Sequence, residues 1–333
     1  MPALKSLANR WRRRALRVIN ERRMTSARGI ASGGKTPVFV IASPPDMHLA
    51  PLAVANGDSA IQHVIVGNGL STGDVVWLGE QAPGIPVVGL RASLLGNART
   101  YLPHAEVINL CHFAAEADFC VQDADCFVTE PSWWKGLRLT SRLQYAAGPF
   151  AKDLNRLGGL MPDTYLVLVN GARFSESSAR GVPPDIAKVP PPALRRLLAA
   201  RGVTGDYFPE EGKSYFDTLQ AQWVMAALEG GELLCLPGAD QNVFHIGGST
   251  YLNTRFAEDV AHWDYWPLNT PYFHLRVLES SRFQFLRPRF AALFQQHGSA
   301  EEILRRHPDF KNSKRFANSQ KLLDSFAGFL PVR

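Results

Sequence analysis

The chain has 333 residues, of which 46% are apolar and 20% charged, with 27 glycines and 23 prolines. That composition suits one large globular core or two ordinary ones, and excludes a collagen-like, mucin-like or wholly disordered chain. The net charge of +6 is unevenly placed: residues 1–35 carry ten Lys and Arg against the single acid Glu21, a net +9, which leaves −3 for the rest. The body therefore lacks the basic footprint of a nucleic-acid binder.

Leu4, Leu7, Trp11, Ala15, Val18 and Ile19 recur at spacings of three and four with arginines between them, which predicts an amphipathic basic helix. Two roles fit it: docking of residues 1–24 on an anionic membrane surface, and packing against the body. No run reaches the roughly 18 apolar residues of a membrane span. The N-terminus also lacks the apolar region and cleavage site of a secretory signal. Residues 25–35 read as a linker rich in Ser, Ala and Gly. Inside it, Gly29 to Thr36 matches the phosphate-loop pattern G-x-x-x-x-G-K-[ST]. That loop requires a helix starting at the lysine, whereas Val38-Phe39-Val40-Ile41 predicts a strand. Cys111, Cys120, Cys126 and Cys235 form no C-x-x-C pair, which predicts reduced thiols and a cytoplasmic location, peripheral on the inner face of the membrane if the leader docks there.

From residue 36 strands and helices alternate. Val38–Ile41 predicts a strand and 47–57 a helix; His63–Val66 predicts a strand ending in Gly67-Asn68-Gly69. Val75–Leu78 and Pro86–Leu90 read as further strands and 104–116 as a helix. Phe119–Val121 is a strand that runs into Gln122-Asp123-Ala124-Asp125. The alternation predicts an α/β fold with a mostly parallel, doubly wound sheet and ligands at the carboxyl ends of its strands. Further on, Thr164–Val169 and Leu233–Leu236 read as strands, Ser214–Glu229 as a helix, and Ser299-Ala300-Glu301-Glu302 as a capping box. The expected organisation is a leader and linker over 1–35, an α/β domain over 36–255 and a mainly helical extension over 256–333.

The informative chemistry is Asp123-Ala124-Asp125 directly after an apolar strand. Two carboxylates at i and i+2 repel each other unless a cation joins them, and hard divalent cations favour oxygen ligands shared with substrate phosphates. Acidic pairs also occur in ordinary loops. Ser43 ends the first strand and Asn68-Gly69 the second, so they meet Asp123 at the ligand crevice; simple turn chemistry is the alternative. His245, in Phe244-His245-Ile246-Gly247-Gly248-Ser249, is placed beside a flexible turn where an imidazole can reach a metal, although a lone histidine is more often a loop or core residue.

In this order, the strand with Ser43, Asn68-Gly69, the helix carrying Asn109, Asp123-Ala124-Asp125, Asp217 and His245-Ile246-Gly247-Gly248 resemble a GT-A-fold glycosyltransferase of the broad family-2-like group, over roughly residues 36–255. Asn109, Ala115, Phe119 and Asp123/Asp125 follow the family's order of helix Asn, small residue, apolar strand and D-x-D. Gln122 stands where that family has a hydrophobic residue, and Asn68 where it often has an acid. The resemblance implies a nucleotide-sugar donor (UDP- or GDP-linked) and Mn²⁺ or Mg²⁺ held by Asp125, with Asp123 on the metal through water or on the donor ribose, and His245 as a third contact. It implies donor contacts at Ser43, Asn68, Gly69 and Asn109, and Asp217 as the general base for an acceptor hydroxyl, with Asp206, Glu210 and Glu211 as alternatives. Held at a membrane by the leader, such an enzyme would act on a glycan or lipid-linked acceptor. Trp133-Trp134 reads either as a sugar-stacking platform or as simple packing, which is as common for paired Trp. A non-catalytic sugar-nucleotide or glycan binder and a P-loop hydrolase are the competing readings.

Overall fold

The computed structural model describes residues 2–31, 34–94, 101–203, 205–236, 239–249, 252 and 266–330. The chain begins with helix α1 (Pro2–Ala31), then β1 (Thr36–Ala42), α2 (Ala50–Ala53), β2 (Ile61–Asn68), α3 (Thr72–Gln81) and β3 (Val87–Leu90). Next come α4 (His104–Ala115), β4 (Phe119–Asp123), β5 (Cys126–Val128), β6 (Gln144–Gly148), β7 (Ala151–Asp153), β8 (Leu160–Pro162) and β9 (Leu166–Val169). They are followed by α5 (Gly171–Ala179), α6 (Pro192–Ala200), α7 (Gln220–Leu228), β10 (Glu232–Cys235), α8 (Ala239–Asn242) and β11 (Val243–His245). Four helices close the chain: α9 (Trp266–Glu279), α10 (Ala291–His297), α11 (Ala300–Arg306) and α12 (Lys314–Ser325).

Seven strands form the main sheet in the order β10-β6-β9-β4-β1-β2-β3. Only β9 runs against its neighbours, so the sheet is mostly parallel, as the alternating pattern predicts. Side chains alternate across it. Val38 and Val40 face a core completed by α2, β5 and α9 to α12, while Phe39 and Ile41 face one built with α1, α4 and α5 to α7. The C-terminal helices thus share a core with one face of the sheet, and the boundary expected at 255/256 lies outside the described residues. The order reverses between β1 and β4, which creates a crevice at their carboxyl ends.

Three local expectations need correction. Val75–Leu78 lies in α3, not a strand: Ser71 and Asp74 form a reciprocal capping box, and that start signal outweighs the β preference of Val75-Val76. The helix expected over 47–57 shortens to α2, preceded by turns. The linker expected from residue 25 is helical to Ala31, because Met24 and Ala27 bury their side chains on the body. Beyond it, Thr36 pairs with Ile61 in β1, so a strand follows Lys35 and no helix begins there to hold a phosphate. The four cysteines are free. Among the described residues no helix is long and apolar enough to cross a membrane.

Candidate functional site

A cavity of about 690 Å³ opens at the crevice, with Ser43, Asp46, Asn68, His104, Asp123, Asp125, Tyr165, His245 and Arg315 in its wall. Strand register explains the assembly. Ile41 pairs with Asp123, which puts the end of β1 beside the D-x-D turn, and the Ala124 amide donates to the Ile41 carbonyl at 3.2 Å. Antiparallel β9 brings the residue just before it, Tyr165, to the same end, where the Tyr165 carbonyl accepts from the Asp123 amide at 2.9 Å. The small β5–β11 ladder pairs His245 with Cys126, and the Ile246 amide donates to the Asp125 carbonyl at 3.0 Å. Gly247 and Gly248 then turn the chain at φ 75° and 72°, which glycine adopts without steric cost.

One candidate ligand atom from each of Asp123, Asp125 and His245 lies within 4.8 Å of the others. His245 Nε2 is 3.4 Å from Asp125 Oδ1, and its ring stacks on Tyr165 with centroids 3.5 Å apart. His104 Nε2 is 3.6 Å from Asp123 Oδ1 and has no hydrogen-bond partner. Two carboxylates and an imidazole suit Mn²⁺ well, and Mg²⁺ through the oxygens. The electrostatics point the same way. Burial, reinforced by Asp125 and Asp46, pushes Asp123 well above the usual carboxylate range. Burial and the Asp125 charge raise Asp46 to about 7, even though it accepts from the Ser43 amide and hydroxyl. Burial opposes ionisation of Asp125 too, but His245 and the Ser249 hydroxyl outweigh it and hold that carboxyl at about 2. A cation placed here would relieve the repulsion among these acids.

Gln122, fully buried, donates from Nε2 to the carbonyls of Cys126 at 2.7 Å and Ala53 at 3.3 Å. The polar residue before Asp123 therefore braces the D-x-D turn. Asn68 is also engaged: its amide donates to the Leu102 carbonyl at 3.0 Å, and its oxygen accepts from the Leu102 amide at 2.8 Å. It pins the cavity wall, and Gly69, at φ 75°, makes the turn out of β2.

Three expected site residues, Asn109, Trp133 and Trp134, lie elsewhere. Asn109 lines a second cavity between α4 and α1 with Arg13, Arg17 and Asn20. At 3.6 residues per turn it stands roughly 140° around α4 from His104, which does face the first cavity. Trp134 is buried, its indole donating to the Asn56 carbonyl at 2.9 Å, and Trp133 packs beside it, so the pair belongs to the core rather than to a sugar platform.

Asp217 lies near the site without lining the cavity; its charge acts on both Asp123 and His104. It precedes α7, which starts at Gln220 rather than Ser214, because Leu219 adopts a left-handed φ of 68° that breaks the helix there. Its Oδ2 is 3.5 Å from Lys213, and its Oδ1 accepts from the Thr218 amide at 2.8 Å. Glu210 is bound to Lys213 at 2.7 Å and Lys152 at 3.4 Å, and accepts from Gln220. Sequence reasoning passed over Asp46, Tyr165, Ser249, His48 and His274. Asp46 carried the one available signal, an acid three residues after Ser43 at a strand end.

No family model and no curated protein matches the chain. Among solved structures it is similar to the glycosyltransferase GlyE of Streptococcus pneumoniae TIGR4, at 12% identity and a TM-score of 0.39, over 68% of this chain and 57% of that one. It is also similar to the bifunctional glycosyltransferase WbbM, at 12% identity and a TM-score of 0.35, over 62% and 39% of the two chains. A third is glucosyl-3-phosphoglycerate synthase of Mycobacterium tuberculosis in complex with Mn²⁺, UDP and glucosyl-3-phosphoglycerate, at 14% identity and a TM-score of 0.33, over 54% and 71%. The chain thus spans little more than half of GlyE and less than half of WbbM. These likenesses are partial, and the chemistry of the cavity stands on its own residues.

Proposed function

We propose that the chain is a metal-dependent glycosyltransferase, moving a sugar from a nucleotide-sugar donor to a hydroxyl acceptor. The observation that carries this reading is the convergence of Asp123, Asp125 and His245 at the carboxyl end of β4, in the wall of a cavity at the point where the strand order reverses. Mn²⁺ or Mg²⁺ bound there supplies neutralisation of the charge that develops on a departing diphosphate. Asp125 and His245 would hold it, with Asp123 reaching it through water or contacting the donor ribose. Ser43 and the Gly247-Gly248 backbone, which line the same cavity, would serve as donor contacts. Asp217, whose charge acts on Asp123, is the proposed acceptor of the hydroxyl proton; Lys213 stands 3.5 Å from it but 2.7 Å from Glu210, which Lys152 and Gln220 engage as well.

The acceptor is proposed to be a glycan or lipid-linked sugar, met at the inner face of a membrane through the exposed basic half of α1. That half carries Trp11, Ala15 and Val18 on one side and exposed arginines around them. The side chains of Leu4 and Leu7, which would extend this stripe, lie outside the described residues.

Hydrolysis of UDP-, GDP- and CMP-sugars, followed with and without Mn²⁺, tests the reading. Turnover of at least one donor that requires Mn²⁺ and disappears in Asp125→Ala is expected. No metal-dependent turnover or binding across the panel would remove it.

A further inference from the structure

From the cavity wall inward runs a row of four buried polar side chains, of which Asp125 and Ser249 line the cavity. Ser249 Oγ donates to Asp125 Oδ2 at 2.6 Å and lies 2.9 Å from His274 Nε2; His274 Nδ1 lies 3.0 Å from His48 Nε2. Both histidines are 0% exposed and Ser249 is 2% exposed. The row links a turn after β1, the loop after β11 and helix α9, and its two histidines stand 226 positions apart in the chain.

The direction of every bond in it follows from counting protons. The Ser249 hydroxyl has one proton, given to the carboxylate, so it must accept from His274 Nε2–H. Buried imidazoles stay neutral and carry a single N–H, so His274 Nδ1 is an acceptor and His48 Nε2–H must donate to it. His48 Nδ1 is then left as a bare acceptor, and it is found without a hydrogen-bond partner. His48 is held from the other side by Phe290, edge to face at 4.7 Å. Every donor in the row points toward Asp125.

We propose that His48, His274 and Ser249 are positioning residues that fix Asp125 as a single-oxygen cation ligand, with Oδ2 held by Ser249 and Oδ1 turned to the metal beside His245. The proposal rests on the cation reading of Asp123, Asp125 and His245 and adds that α9, in the C-terminal helical segment, is part of the support for that centre. A carboxylate free to rotate would offer either oxygen or both, and would give up orientational freedom when the cation binds. The row imposes that order beforehand, as outer hydrogen bonds do for metal ligands generally.

The test is Mn²⁺ binding to the full chain without donor, by calorimetry and by the EPR signal of the free ion. Ser249→Ala removes the last donor with little change in volume. His274→Leu fills the space without an N–H, whereas His274→Gln keeps an N–H near the Nε2 position. Ser249→Ala and His274→Leu are expected to weaken Mn²⁺ about 10-fold or more, with His274→Gln restoring most of the affinity. A purely structural role would lower the melting temperature of all three without ordering Mn²⁺ affinity by the presence of the donor. Folded Ser249→Ala that binds Mn²⁺ like the unaltered chain overturns the proposal, even if His274→Leu fails to fold. An unaltered chain with no Mn²⁺ affinity overturns the cation reading beneath it, so the two failures are told apart.

Discussion

Two neighbouring groups of acids in this molecule are treated in opposite ways. Around Lys152 and Lys213, the carboxylates of Asp163, Glu210 and Asp217 meet ammonium groups at 2.7 to 3.5 Å, and Glu210 is held below its ordinary range. At the end of β1 and β4, the ion pairs of Asp123 and Asp125 among the described residues are with histidines alone, at 3.6 and 3.4 Å. There Asp123 and Asp46 are pushed up instead. The first group is compensated by the protein itself, and the second is left for a cation from outside. Buried, like-charged groups without a partner are costly, so such a cluster marks a place where binding rather than stability set the residues.

The strongest way to break this contrast is to empty the second group of charge. Asp125→Asn keeps the shape and the Ser249 contact but removes the ionised ligand. Mn²⁺-dependent donor binding is expected to fall by roughly 100-fold or more while the fold remains, and calorimetric binding near that of the unaltered chain would refute the assignment. His245→Ala should be milder, about 10-fold to 100-fold in Mn²⁺ affinity, because two carboxylates remain. Lys152→Met, in the first group, is expected to lower thermal stability with Mn²⁺ affinity unchanged. A large loss of Mn²⁺ affinity there would mean that the two groups work as one.

The sequence made the local part of this site visible. Asp123-Ala124-Asp125 follows an apolar strand, and His245 precedes two glycines, so each announces itself within a few residues. The alternation of strands and helices likewise announced the mostly parallel sheet. The residues that tune the site did not announce themselves. Ser249 meets Asp125 across 124 positions, and His274 meets His48 across 226. Each is an ordinary residue type in its own segment, and only the pairing of β11 with β5 and the packing of α9 give it a role. Asn109 shows the converse: motif order placed it at the donor, whereas helical rotation turned it toward α1. Val75-Val76 read as strand for a similar reason, since residue preference was weighed without the Ser71–Asp74 cap that overrides it.

Proton linkage sharpens the comparison with a moderate effect. Asp46 ionises near pH 7 in the folded chain and near 3.8 in its ordinary state. Between those values Asp46 holds its proton in the folded state and loses it in the unfolded one, so its own contribution to stability falls as pH rises from about 4 to about 7. Each pH unit in that interval removes about 1.4 kcal/mol, so the whole loss is on the order of 4 kcal/mol at most. The buried, neutral His48, His63, His104, His274 and His297 act in the opposite direction, so the Asp46 contribution is read as a difference. Between pH 5.5 and pH 7.5 the melting temperature of the metal-free unaltered chain should shift downward relative to that of Asp46→Asn. A shift of the same size in Asp46→Asn would assign the dependence to other groups.

The smallest expected effect on the chemistry comes from the other basic region, the leader, whose two halves also differ. In the C-terminal half, Asn20 bonds the backbone of Arg91, Arg23 donates to the Gly89 carbonyl at 2.6 Å, and Met24 and Ala27 are buried. In the N-terminal half, Trp11 is 70% exposed and Val18 43% exposed, and these two lie on one side of the helix because seven residues make nearly two turns. Removing residues 1–24 would therefore strip contacts from α4 and β3 as well as any lipid contact, so the cleaner change is Trp11→Ser with Val18→Ser. Near an anionic surface each basic residue contributes about 1 kcal/mol, and salt screens that term, whereas apolar side chains in hydrocarbon are not screened. The unaltered chain should co-sediment with anionic vesicles at low salt and retain part of that binding at high salt. The double variant should bind at low salt only, with soluble donor hydrolysis unchanged. If the unaltered chain fails to co-sediment at low salt, the exposed half of α1 is not a membrane contact, and the proposal of a lipid-linked acceptor loses its support.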